Sequence, residues 1–275
     1  LLKNFSFKIC SLGVTVVQVG RLGDGSLDSV KELVVRLARE AGVGDIVFLP
    51  ENWMSGRPVD VGVFEKVVFE LYELLGSSVA GGLQHVVDVD GVVRSVGLAV
   101  IEGSLVRVCE KLYPSKATGE RGRVKPGRLV EPFSVKGWVV GCVACVDIFY
   151  PEVSRALVAR GAHIIYNPAS IPGNRVELWR SAVRIRGVEN VVYSIGVNAT
   201  GNVYPDGRVT MGGSVAYSPW GKMLLSLHDQ PSASTVELNV ERLREAVERW
   251  AFREDFERYY RRLYVEFQLP GGYLS

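Results

Sequence analysis

The sequence predicts an α/β protein in which two sheets pack face to face with helices outside. Two observations carry this. Segments of helical and strand period alternate over the first part of the chain, and strand then follows strand through the middle. Composition alone leaves a single doubly wound sheet equally open.

The elements follow in order. Val14 to Val19 reads as a strand, and Leu27 to Ala41 as a helix with apolar residues at 27, 30, 33, 34 and 37. Asp45 to Leu49 is a buried strand. Val63 to Leu75 repeats the helical period. Val79 to Leu83, Gln84 to Val89, Val92 to Ile101 and Leu105 to Glu110 read as successive strands, with turns at Asp90-Gly91 and Glu102-Gly103. After a long polar loop come strand Trp138 to Val143, helix Pro151 to Arg160 and strand Ala162 to Tyr166. A helix from Arg175 to Asn190 precedes strand Val191 to Val197. Two strands flank Pro219-Trp220-Gly221, and Ser234 to Leu238 adds another. One amphipathic helix runs from Val240 to about Tyr260, capped by Asn239.

No Ser/Gly tract, charge block or short repeat marks a linker, so residues 1–275 read as one domain with 255–275 as a tail. A net charge of +2 with scattered basic residues excludes a nucleic-acid footprint. No apolar stretch approaches the roughly 20 residues that span a bilayer, and the start lacks signal-peptide features. A cytoplasmic protein follows. Three dispersed histidines, and cysteines at 10, 109, 142 and 145, give no metal-ligand pattern. Arginine exceeds lysine, 23 to 9, and glutamine is scarce, a composition associated with thermophiles.

The chemistry-bearing segments are three. An apolar strand ends at Cys145, followed by Val146-Asp147 and an aromatic-Pro-Glu helix opening. A second strand ends at Pro50-Glu51, and a third at Glu110-Lys111, with Gly119-Glu120 just downstream. A cysteine between strand and helix is a place where nucleophiles are displayed. Each residue also has a plain structural reading. Glu51 could cap a backbone, Lys111 could be solvated beyond an edge strand, and Glu120 could pair with surface cations. Asp147 reads as structural, tied to backbone N–H groups of the elbow. Cys142-x-x-Cys145 resembles a redox pair, but the odd spacing points the two side chains to opposite faces. Arg57, Arg121, Arg123 and Arg175 lie in loops where a substrate carboxylate could meet them.

Together with Asn167-Pro168-Ala169-Ser170, Trp179, Arg186-Gly187-Val188-Glu189-Asn190, Asn198, Gly201 and the Gly213-Ser214…Pro219…Gly221 run, these segments resemble the nitrilase superfamily of carbon–nitrogen hydrolases, from about Val14 to Leu238. The resemblance implies a four-layer α-β-β-α sandwich and a catalytic set of Glu51, Lys111 and Cys145, with Glu120 as a second glutamate. It implies that Cys145 attacks, Glu51 shuttles protons, and Lys111 with the Val146 backbone N–H holds the oxyanion. Tyr113, Asn167 and Trp179 join Val146 as substrate-binding residues.

Cys145-Val146-Asp147 is more similar to the amidase-type branches than to nitrilases, which carry Cys-Trp-Glu. The resemblance thus implies a small-molecule amide substrate, a thioester intermediate and no cofactor. A homodimer or larger homo-oligomer is also implied, with the tail packed on its own domain or crossing to the partner. N-carbamoyl and nitrile hydrolysis are alternatives within the class. A catalytically silent interaction protein of the same fold and a CxxC redox protein are alternatives outside it. Val124 and Val146 replace residues common in the family, so the pocket walls differ.

Overall fold

The computed structural model describes residues 10–21 and 26–261. In chain order the strands and helices are β1 (Ser11–Gln18), α1 (Leu27–Glu40), β2 (Ile46–Phe48), β3 (Val59–Asp60), α2 (Val61–Leu75), β4 (Ser78–Val87), β5 (Val93–Ile101) and β6 (Ser104–Glu110). Then come β7 (Phe133–Val135), β8 (Trp138–Cys142), α3 (Pro151–Ala159), β9 (Ile164–Ala169), α4 (Val176–Asn190) and β10 (Tyr193–Asn198). The last are β11 (Thr200–Val203), β12 (Val209–Met211), β13 (Val215–Tyr217), β14 (Met223–Ser226), β15 (Ser232–Asn239), α5 (Val240–Arg249) and α6 (Phe252–Arg261).

One sheet runs β15-β1-β2-β4-β5-β6, with β3 also on β4; the other runs β14-β13-β10-β9-β8-β7. In each, parallel central strands give way to antiparallel neighbours toward both edges. Alternation along the strands shows how the layers stack. On β1, Leu12, Val14 and Val16 belong to the core between the sheets, while Val17 faces the helices. On β2, Ile46 and Phe48 turn inward, and Val47 turns outward to the cluster formed with α1 and α2. Such strands have two buried faces, which is why they read as continuous apolar runs. Phe48 of the first sheet stacks on Tyr166 of the second at 4.1 Å between ring centres. On the far side, Leu157 of α3 lies over Gly141, and Trp179 of α4 lies over Gly196. The result is the α-β-β-α sandwich.

Several elements depart from the sequence reading. The two strands expected over 79–89 are one, β4, which ends at Val87; its ladder shifts between Ala80 and Leu83, where Gly82 takes φ +77°. Residues 240–260 form two helices. Asn239 does cap the first, accepting from the Glu241 and Arg242 N–H groups. Trp250 then leaves helical geometry (φ −113°, ψ 105°), and its ring contacts those of Trp220 and Phe252. The long polar loop contains the short strand β7, and the hairpin β11–β12 had no periodic signal at all. Of the proposed tail, residues 255–261 lie on α6; 262–275 lie outside the described residues. Among the described residues no helix is long and apolar enough to cross a membrane.

Candidate active site

Glu51 sits just beyond β2, where the chain is clamped between the sheets. Its N–H donates to Ala169 O of β9 at 3.1 Å, and the Asn52 N–H donates to Leu83 O of β4 at 2.7 Å. Lys111 follows β6 and donates its own N–H to Ser95 O on β5. Glu120 opens a single 3-10 turn after Gly119, which takes φ +68°. The loop is closed on itself: Glu120 N–H donates to Ser115 O, and Ser115 N–H donates to Glu120 Oε2 at 2.8 Å.

These three side chains meet away from water. Lys111 Nζ donates to Glu51 Oε1 at 2.7 Å and to Glu120 Oε2 at 2.9 Å, and all three residues are buried. The solvated lysine, the backbone cap and the surface ion pair are therefore set aside. One ammonium between two carboxylates is a costly arrangement to bury unless every partner is placed, and here it is.

Cys145 begins a 3-10 turn, Cys145–Phe149, directly after the second sheet's β8. Its φ of +44° lies in the left-handed region, a strained conformation for a side chain other than glycine. The turn is held from three sides. Asn167 donates Nδ2–H to Val143 O at 2.6 Å and to Cys145 O at 3.0 Å, and Trp179 Nε1 donates to Asn167 Oδ1 at 2.7 Å. The Asp147 carboxylate accepts from the Leu112 N–H at 2.7 Å and the Tyr113 N–H at 3.1 Å. Asp147 thereby ties the cysteine turn to the segment carrying Lys111.

The electrostatics follow from burial and neighbours. Burial pushes the Glu51 carboxyl above the usual range, against the pull of Lys111. Burial, reinforced by Glu51, pushes the Cys145 thiol far up. For Lys111 burial acts to lower the value, but Glu51, Cys145 and Glu120 together outweigh it and keep the ammonium charged. Burial also opposes ionisation of Glu120, yet Lys111 beside it brings its carboxyl below the usual range. The resting arrangement is a protonated thiol facing an easily protonated glutamate, beside a fixed cation.

A cavity of about 270 Å³ opens on this group. Glu51, Lys111, Glu120, Cys145 and Val146 line it, so the structure brings five of the sequence-derived residues together. Three others are elsewhere. Tyr113 is exposed, its ring stacked on Tyr150 at 4.0 Å; its backbone, not its side chain, is what reaches the elbow. Asn167 and Trp179 lie behind Cys145, spent on hydrogen bonds that fix the turn, and neither lines the cavity. Of the four loop arginines, Arg175 lines this cavity, and Arg123 lines a neighbouring one of about 190 Å³. Tyr204 and Arg208, from the β11–β12 hairpin, and Phe149 and Leu178 complete walls that the sequence reading missed. A hairpin of four- and three-residue strands gives no period to detect.

Fold and site together define a molecule with a thiol, two carboxylates and an ammonium converging in an α-β-β-α sandwich. The family model for carbon–nitrogen hydrolases matches residues 14–248, and the chain belongs to that family. It is 29% identical over 248 residues to an (R)-stereoselective amidase from Pseudomonas sp, covering 85% of this chain and 87% of the relative. It is 28% identical over 211 residues to the hydrolase in the agr operon of Staphylococcus aureus, covering 71% and 78%. Among solved structures, XC1258 from Xanthomonas campestris, a CN-hydrolase superfamily protein, superposes with a TM-score of 0.80 at 21% identity, over 90% of this chain and 97% of that one. The fold likeness agrees with the α-β-β-α sandwich, and the family expected from the sequence is the one whose model matches.

Proposed function

We propose that the protein hydrolyses a small-molecule amide to a carboxylic acid and ammonia through a thioester on Cys145. The observation that carries this is the Lys111 ammonium, fixed between Glu51 and Glu120 beside the Cys145 thiol. The reading is supported by the similarity to an amidase.

In this scheme Glu51 accepts the thiol proton as sulfur attacks the carbonyl carbon. The carbonyl oxygen becomes an oxyanion beside Lys111 and the Val146 N–H. The C–N bond breaks as Glu51 returns the proton to nitrogen, releasing ammonia. Glu51 then takes a proton from water, whose oxygen attacks the thioester carbon; the C–S bond breaks and the thiol is restored. Burial raises Glu51, which favours a carboxyl able to accept a proton and give it back. Glu120 holds Lys111 in place and touches the cavity, so it positions the cation.

The cavity walls are mainly apolar, and Arg175 and Arg208 are among the residues that line it. Arg208 is already paired with Asp206 at 2.7 Å. An acyl group with an apolar stem and a remote carboxylate directed to Arg175 fits this arrangement better than a cationic one. N-carbamoyl compounds and nitriles remain the competing substrates. The protein is taken to work as a homo-oligomer, which sedimentation would report.

Ammonia release from a panel of amides, N-carbamoyl compounds and nitriles tests the proposal. Amide turnover should vanish in Cys145→Ala, and acyl adducts should appear on Cys145 by mass spectrometry. Absence of turnover together with an unreactive Cys145 would reject it in favour of a silent binding protein.

A further inference from the structure

Cys109 and Cys142 take no part in the chemistry above. Cys109 lies near the end of β6, two residues before Lys111; Cys142 ends β8, three residues before Cys145. They belong to different sheets, and their sulfurs are 2.9 Å apart across the buried interface. Ordinary non-bonded contact, even between carbon atoms, is about 3.5–4.0 Å. A disulfide of about 2.05 Å needs the sulfurs to approach by a further ~0.9 Å. The surroundings keep them together: a Cβ placed on Gly97 would stand 2.6 Å from the Cys109 sulfur, so only glycine there leaves that sulfur its space. Cys142 is turned away from the cavity that Cys145 lines, so its partner is Cys109 rather than Cys145.

We propose that Cys109 and Cys142 form an inter-sheet disulfide, a covalent tie between the strand leading to Lys111 and the strand leading to Cys145. The oxidant is a low-molecular-weight disulfide. One cysteine, deprotonated, attacks a sulfur of that reagent; its S–S bond breaks, a mixed disulfide forms, and one small thiolate leaves. The second cysteine gives its proton to solvent and attacks the protein sulfur of the mixed disulfide, expelling the second small thiolate. The two cysteines lose two electrons and two protons, and the reagent ends as two thiols. Burial pushes the Cys142 thiol far above its usual range, so exchange in the closed native state is slow. The bond therefore closes during folding or local opening, and the same burial then shields it from reductants.

The test uses full-length protein, equilibrated at raised temperature with mixtures of oxidised and reduced glutathione, then acid-quenched, denatured and alkylated. The four cysteines should fall from four alkylated to two, with Cys109 joined to Cys142 in the non-reduced peptide map. The oxidised form should unfold about 5–10 °C above the reduced form, as expected for closing a loop of this length. Cys145 should stay alkylatable in it. The Cys142→Ala variant should keep three alkylated cysteines and show no such difference. Four free thiols in the most oxidising mixture, a mapped bond between any other pair, or equal unfolding temperatures would overturn the proposal. None of these readouts depends on amide turnover, so failure here leaves the hydrolase reading untouched.

Discussion

At the scale of single residues, the candidate site is held in shape by groups that do not line its cavity. Asp147 shows this most clearly. It is 1% exposed, its carboxyl is raised to about 6 by burial, and both its oxygens are committed to the Leu112 and Tyr113 N–H groups. Asp147→Ala leaves two backbone donors unpaired next to Lys111, a loss of about 1–3 kcal/mol. It also releases the lysine segment from the cysteine turn. The expected outcome is a lower denaturation midpoint and a fall in kcat with little change in KM, measured on the best amide of the panel. Asp147→Asn keeps one acceptor oxygen, so it should recover part of both; a variant with normal stability and normal kcat would refute the tie. Glu51, Lys111 and Cys145 were legible as a set through the family resemblance of the strand-end segments that carry them, and the structure brings the three to one cavity. Tyr113, Asn167 and Trp179 were expected among the substrate-binding residues, but none of the three lines the cavity. The family resemblance implied that Asn167 lies near the site; only coordinates show that its amide faces the Cys145 carbonyl rather than the cavity.

Among the elements, the apolar period was a sound guide where two faces are buried and a poor one where the backbone turns. The helices α1 and α2 start at side-chain caps, Ser26 and Asp60, and α2 stops at Gly76 in left-handed geometry, as local chemistry dictates. The break expected between Leu83 and Gln84 is absent; the ladder shifts instead at Gly81-Gly82, without ending the strand. In three dimensions that shift is a bulge that lets one strand bend past the Glu51 segment. Gly82 has φ +77°, and a Cβ there would lie 1.9 Å from the Pro50 carbonyl oxygen. The Leu83 N–H donates to that same oxygen at 3.2 Å, so the close approach is what seats Glu51. Gly82→Ala should therefore cost about 3 kcal/mol or more, from backbone strain plus displacement of Pro50. Gly91→Ala, also at positive φ but in open space, should cost only the smaller conformational penalty. Chemical denaturation of the two variants separates the terms, and equal losses would show that the Pro50 contact is not what matters. The break between α5 and α6 was hidden for a related reason: Trp250 fits an amphipathic period, and only its packing against Trp220 and Phe252 shows that it leaves the helix.

For the whole molecule, packing two sheets together puts titratable groups in the dry layer between them, and stability then depends on pH. His85 on β4 is the sharpest case. Burial, then the Lys111 ammonium, lowers its value from the ordinary 6.5 to about 4. Its Nε2 is 3.7 Å from Glu120 Oε1 and 3.4 Å from Asn52 Nδ2, so it backs the same glutamate that holds Lys111. The sign follows from proton counting. Between pH 4 and 6.5 the unfolded chain carries a proton on His85 that the folded chain refuses. Folding stability thus falls as pH is lowered through that window, by up to about 3 kcal/mol at its acid end. Asp147 acts oppositely: its folded value is raised from 3.8 to about 6, so the folded state gains stability as pH falls across that range. The two partly cancel in the wild type, which is why the informative quantity is a difference between proteins sharing Asp147. His85→Gln preserves a polar side chain of similar reach and removes the titration. Denaturant midpoints of the variant and the wild type, measured from pH 7 to pH 4, should diverge in the variant's favour as pH falls, with most of the divergence below pH 6.5. A constant offset across the range would mean that His85 titrates alike in the folded and unfolded chains, so that neither burial nor Lys111 holds its value down.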